Sequence, residues 1–102
     1  MIALLERNRA ALEELCRRYG VRRLEVFGSA ATGAQFDADS DVDLLVEFAP
    51  PGPGRHAAQY FGFLRELESL LGRNVDLLVL QAIRNPYLLR NIDPQRELLY
   101  AA

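Results

Sequence analysis

The chain has 102 residues, half of them hydrophobic, with a net charge of -2. That length supports one small domain, read here as residues 1–102 with a single core, and that composition is too apolar for a disordered chain. The near-balanced charge gives no general drive towards nucleic acid or an anionic membrane surface, so direct nucleic-acid binding is not expected.

Leu5, Leu12, Leu15, Cys16 and Tyr19 recur at three-, four- and seven-residue steps, which predicts one amphipathic helix over Ile2–Tyr19. Arg7, Glu13, Glu14, Arg17 and Arg18 take its polar side. Cys16, the single cysteine, excludes an internal disulfide and reads as a small buried hydrophobe. No apolar run reaches membrane-spanning length, and Glu6, Arg7 and Arg9 are unlike a signal peptide, so a cytoplasmic location is expected. Gly20 stands where a helix end favours a left-handed residue.

Val21–Phe27 reads as a strand, with Leu24 and Val26 alternating against Arg23 and Glu25. The small-residue run Gly28-Ser29-Ala30-Ala31-Thr32-Gly33 follows; such a run lets backbone amides turn towards a phosphate, although alone it is ordinary turn chemistry. Ala34–Ser40 is a polar loop with Asp37 and Asp39 in solvent. The second strand, Asp41–Phe48, places Val42, Leu44, Val46 and Phe48 on one face. Asp41, Asp43, Leu45 and Glu47 take the other, so two carboxylates project side by side, close enough to share a hard cation.

Pro50–Gly54 reads as a mobile proline-glycine loop. His56–Leu71 is the clearest helix, its stripe of Tyr60, Phe63, Leu64, Leu67, Leu70 and Leu71 being core material, with Gly72 closing it and His56 in solvent or capping its start. Val75–Leu80 is the third strand, with Asp76 on the face of Leu78 and Leu80; a charge in so apolar a strand is costly to bury unless paired. Asn85-Pro86 starts a short helix carrying Tyr87, Leu88 and Ile92, expected to end near Asn91 before Asp93-Pro94. Glu97–Tyr100 fits a short edge strand or a helical turn, and its apolar side chains hint at a partner surface.

These elements give an α/β (α+β) class, a small mixed sheet of three to four strands with helices packed on it. An antiparallel first pair would bring Ser29 near Asp41, and a right-handed crossover through the long helix would make the third strand parallel to the second. Asp76 would then reach the rim holding Asp41 and Asp43. Oxygen-only ligation of that kind suits magnesium or manganese completed by substrate phosphates. A phosphatase with an Asp-x-Asp nucleophile fits poorly, because here the apolar run follows the aspartates instead of preceding them.

Gly28-Ser29, Asp41-Val42-Asp43 and Val75-Asp76-Leu77 together resemble the nucleotidyltransferase superfamily with the DNA polymerase beta-like core. The whole chain is similar to its minimal nucleotidyltransferase family. The resemblance implies that Asp41 and Asp43 bind magnesium (or manganese), that Asp76 is the third carboxylate, assisting the metals and able to act as base, and that Gly28 and Ser29 hold the phosphates of ATP. It further implies AMP transfer to a hydroxyl of a partner protein, in an antitoxin paired with a HEPN-domain ribonuclease, within a homo- or hetero-oligomer. The family often carries arginine where this chain has Thr32, which opens the alternative of a catalytically weak or inactive module that neutralises its partner by docking.

Overall fold

Four strands form one sheet in the computed structural model, which describes residues 1–50, 56–92 and 96–102. Helices α1 (Ala3–Arg7) and α2 (Arg9–Arg18) lead into β1 (Val21–Phe27). A one-turn helix α3 (Ser29–Thr32) and the polar loop precede β2 (Val42–Phe48). Helix α4 (His56–Leu71), β3 (Val75–Val79), a 3-10 turn (Leu80–Ala82), α5 (Pro86–Ile92) and β4 (Glu97–Ala101) complete the order. The sheet runs β3-β2-β1-β4: β1 and β2 are antiparallel, and β2 and β3, joined through α4, are parallel, as the length of that crossover predicts. Among the described residues no helix is long and apolar enough to cross a membrane.

The core lies on one face of the sheet. Leu24 and Val26 of β1, Val42, Leu44 and Val46 of β2, and Leu77 of β3 meet Leu12 and Cys16 of α2 and Phe63 and Leu67 of α4. Each fully buried side chain of this size contributes about 1.5–3 kcal/mol relative to exposure. Phe63 meets the Phe48 ring edge-on at 5.9 Å. Cys16 is fully buried there, and burial pushes its thiol up to about 12. Gly20 and Gly72 both adopt the left-handed conformation expected after the helices they close.

Three expectations are corrected. The leading helix is two helices broken at Asn8, whose side-chain amide donates to the Leu4 carbonyl at 2.8 Å and whose backbone turns to φ -101°, ψ 13°. A short amide side chain that bonds its own backbone competes with continued helix, and no hydrophobic period reveals that. Glu25, expected on a polar face, is only 5% exposed. Arg96 grips both its oxygens at 2.9 and 3.0 Å, and Arg23 adds a contact at 3.1 Å. The third strand ends at Val79, with Leu80 beginning the 3-10 turn.

Of the two readings for 97–100, the edge strand is the one formed: β4 pairs antiparallel with β1, burying Leu99 and leaving Leu98 exposed. Asn85 caps α5 by accepting the Tyr87 amide at 2.9 Å, and the helix runs to Ile92. Pro51–Gly54 of the proline-glycine loop and the Asp93-Pro94 helix stop lie outside the described residues.

Candidate active site

Register decides which side chains meet. In the parallel ladder Val42 pairs with Val75 and Asp43 with Asp76. Both valines are buried in the core, so the alternation of each strand turns Asp43 and Asp76 to the opposite face. Asp41, two residues before Asp43 and just ahead of β2, is exposed, as is Asp76, while Asp43 is partly buried. Asp43 and Asp76 thus share one face of the sheet, and the Asp41 charge lies near enough to act on Asp43. Below Asp43 and Asp76, Phe27 and Leu45 form a second small apolar cluster with Leu78, Leu80 and Ile83.

The antiparallel ladder brings in the turn. Phe27 pairs with Asp43, which sets Gly28 against the Asp43 carboxylate. Gly28 has φ 67° and ψ -151°, and a Cβ there would lie 2.6 Å from Asp43 Oδ2. Glycine is therefore required twice, for its conformation and for the space. Gly28 and Gly33, both at positive φ, bracket α3, so the small-residue run is a helical turn between two glycine hinges and not an open loop. Ser29 opens that turn, next to the Gly28–Asp43 contact.

Desolvation holds the Asp43 carboxyl above its ordinary range, and the charges of Asp76 and Asp41 push it further in the same direction. Three hard oxygen donors that repel one another are a donor set a divalent cation satisfies. Asp43 and Asp76 share a face, and Asp41 lies at the same rim. They are not drawn around one point: among the described residues no three acidic, histidine or cysteine side chains enclose an ion-sized site. A polar depression of about 560 Å³ adjoins Asp41 on the α4 side, lined by Asp39, Ser40, Glu68 and Arg73.

Arginines that could replace the charge missing at Thr32 are committed elsewhere. Arg73 donates to the Ser40 and Asp37 carbonyls, and Arg23 to Glu25. Arg22 lies 3.9 Å from Glu47 at the opposite end of β2. Thr32 itself is exposed, and its hydroxyl accepts the Ala34 amide at 3.2 Å. Sequence reasoning missed the roles of Arg73 and of Glu68, whose carboxylate accepts the Val75 amide at 3.0 Å. Their only signal is closeness in sequence to Asp76.

A family model described as a nucleotidyltransferase domain matches residues 9–98. The protein MJ1379 of Methanocaldococcus jannaschii, provisionally assigned as a protein adenylyltransferase, is 32% identical over 97 residues, 95% of this chain and 90% of its own. A solved structure provisionally described as a minimal nucleotidyltransferase superposes with a TM-score of 0.75 at 35% identity, covering 91% of this chain and 90% of that one. A chain from the complex of a tri-AMPylated Shewanella oneidensis HEPN toxin with an MNT antitoxin superposes with a TM-score of 0.66. Its identity is 20%, over 96% of this chain and 73% of that one, a likeness of fold alone.

Proposed function

Because this chain belongs to the nucleotidyltransferase domain family, we propose that it transfers AMP from ATP to a hydroxyl of a partner protein, with Asp41, Asp43 and Asp76 as its working acids. The partner is a HEPN-domain toxin, for which this chain serves as antitoxin. The observation that carries the reading is the Asp43–Asp76 register pair on adjacent parallel strands, with Gly28 against Asp43. Carboxylates at one rim that raise one another's pKa are the kind of donor set that a metal-bound polyphosphate would neutralise.

Asp41 and Asp43 would hold magnesium, or manganese, and Asp76 would complete the set. Bound there, the ion supplies charge neutralisation at the phosphates and orients them for in-line displacement. The acceptor oxygen attacks the α-phosphorus of ATP, the bond from that phosphorus to the bridging oxygen breaks, and pyrophosphate leaves. Asp76, exposed near the start of β3, takes the acceptor hydroxyl's proton. Gly28 leaves room for the Asp43 carboxylate, and the turn from Gly28 to Ser29 receives the phosphates. A chain this small offers little surface for an acceptor, which favours a site completed by the partner.

Thr32 in place of an arginine, with Arg22, Arg23 and Arg73 engaged elsewhere, favours a second reading, a module that keeps the fold and neutralises its partner by docking without turnover. Incubation with ATP labelled on the α-phosphate, magnesium and the HEPN partner separates the two. The expected result is label on the partner that is lost in Asp41→Asn and Asp43→Asn. Equal inhibition of the partner by wild type and both variants, without label, would leave docking as the function.

A further inference from the structure

We infer that Arg73 is a positioning residue that fixes Asp41 beside Asp43 and Asp76; the inference rests on those acids forming the metal site proposed above. Arg73 lies between α4 and β3, three residues before Asp76. Its Nε and Nη2 donate to the Ser40 carbonyl at 3.3 and 2.7 Å, and Nη2 also donates to the Asp37 carbonyl. The guanidinium stacks over the Phe36 ring, 4.4 Å from its centre. One side chain thus holds the loop at residues 36, 37 and 40, the last of which is joined directly to Asp41.

Other bonds of the loop close it on itself. The Asp37 carboxylate accepts the Asp39 amide at 2.9 Å, and the Ser40 hydroxyl accepts the Asp37 amide at 3.0 Å. Neither ties the loop to the sheet. The next anchor is the Val42 amide donating to the Asn74 carbonyl at 3.0 Å, and Asp41 lies between that bond and the Arg73 clasp. On the other side of Arg73, Glu68 secures Val75, so the residue spans from the start of β2 to the start of β3. A planar fork that stacks on a ring and reaches two carbonyls is a task for arginine, and a lysine ammonium reproduces the charge without the fork.

Coulomb's law makes the test discriminating. Removing a positive charge from the loop that leads to Asp41 would by itself leave cation binding unchanged or tighter, so weaker binding after its removal has to come from lost geometry. Manganese binding to the full chain, read by electron paramagnetic resonance without nucleotide, is compared among wild type, Arg73→Ala, Arg73→Lys and Arg65→Ala. The last removes an exposed arginine of α4 as a charge control. Expected is roughly tenfold weaker manganese binding in Arg73→Ala, in line with other residues that orient metal ligands. Arg73→Lys should be intermediate and Arg65→Ala unchanged, with faster hydrogen exchange at residues 40–42 in Arg73→Ala. In the transfer assay kcat falls while KM for ATP holds.

Unchanged or tighter manganese binding in Arg73→Ala would overturn the inference while leaving the acids as a metal site. A raised KM for ATP with unchanged manganese affinity would make Arg73 a phosphate ligand instead. Failure of the wild type to bind manganese would sink both the site reading and the role given to Arg73. Should Arg73→Ala not fold, Arg73→Lys decides: weaker manganese binding supports the clasp, and wild-type binding refutes it.

Discussion

Gly28→Ala perturbs the site by a single methyl group. The Gly28 backbone, at φ 67° and ψ -151°, occupies a region that is essentially glycine-only, and holding alanine there costs about 1–3 kcal/mol. The new Cβ would start 2.6 Å from Asp43 Oδ2, and ordinary contact begins near 3.4 Å, so the carboxylate oxygen has to retreat by about 0.8 Å. A small domain with about 5–15 kcal/mol of stability survives that cost. Catalysis is less tolerant, since a misplacement of about 1 Å at a reacting centre can lower rate about 100-fold. Gly33→Ala is the matched control: φ is 78°, but nothing lies within 4 Å of its Cβ, so it takes a backbone cost of about 1–2 kcal/mol without touching an acid. Urea unfolding should show both variants folded and destabilised, and label transfer should collapse in Gly28→Ala alone. Equal loss of transfer in both variants, or full transfer in Gly28→Ala, would refute the assigned contact between turn and carboxylate.

Asp43→Asn should raise Tm at neutral pH without divalent metal, because it removes a desolvated charge crowded by Asp76 and Asp41. The folded state of the wild type takes up the Asp43 proton at higher pH than the unfolded state does, so this residue's penalty is full above the raised folded pKa. It is relieved as pH falls through that value towards the ordinary carboxylate range. The Tm gap between variant and wild type should therefore narrow on acidification, and a gap that widens would contradict the crowding. Thr32→Arg restores a positive charge at an exposed position of the turn; stability should change by less than about 0.5 kcal/mol and transfer should rise roughly tenfold or more. No increase in label transfer would strengthen the docking reading. Arg96→Ala leaves the buried Glu25 with Arg23 as its side-chain donor among the described residues, and urea unfolding should show a loss of about 2–3 kcal/mol, at or below the usual range for breaking a buried pair because Arg96 keeps some exposure. A loss below about 0.5 kcal/mol would mean that the pair is a surface contact in energetic terms.

Hydrophobic period carried most of the architecture. The stripe of α4 gave its bounds from His56 to Leu71, and alternation put Asp41 and Asp43 on one side, whereas the face of Asp76 relative to theirs follows only from the β2–β3 register. Those signals are legible because burial of one face forces them on every residue of an element. What stayed hidden depends on partners distant in sequence or on hydrogen bonds with no period. Glu25 reads as an outward acid until Arg96, 71 residues away, is seen to neutralise it. Arg73 reads as one more surface cation until its bonds to the Asp37 and Ser40 carbonyls are counted. Asn8 interrupts a flawless apolar stripe with one amide. The glycines of the turn were visible as composition, but the clash that makes Gly28 indispensable arises only when β1 pairs with β2.

The order β3-β2-β1-β4 gives the acids unequal footing. Asp43 sits on an inner strand laddered on both flanks, while Asp76 sits on the outermost strand, laddered on one. The rim is thus a vice with one fixed jaw and one yielding jaw. Backbone amides near Asp43 open only with the whole sheet, whereas those near Asp76 can fray alone at lower free energy. If the proposed site binds substrate here, part of the binding energy would go into ordering β3, leaving the strand that carries Asp43 undisturbed.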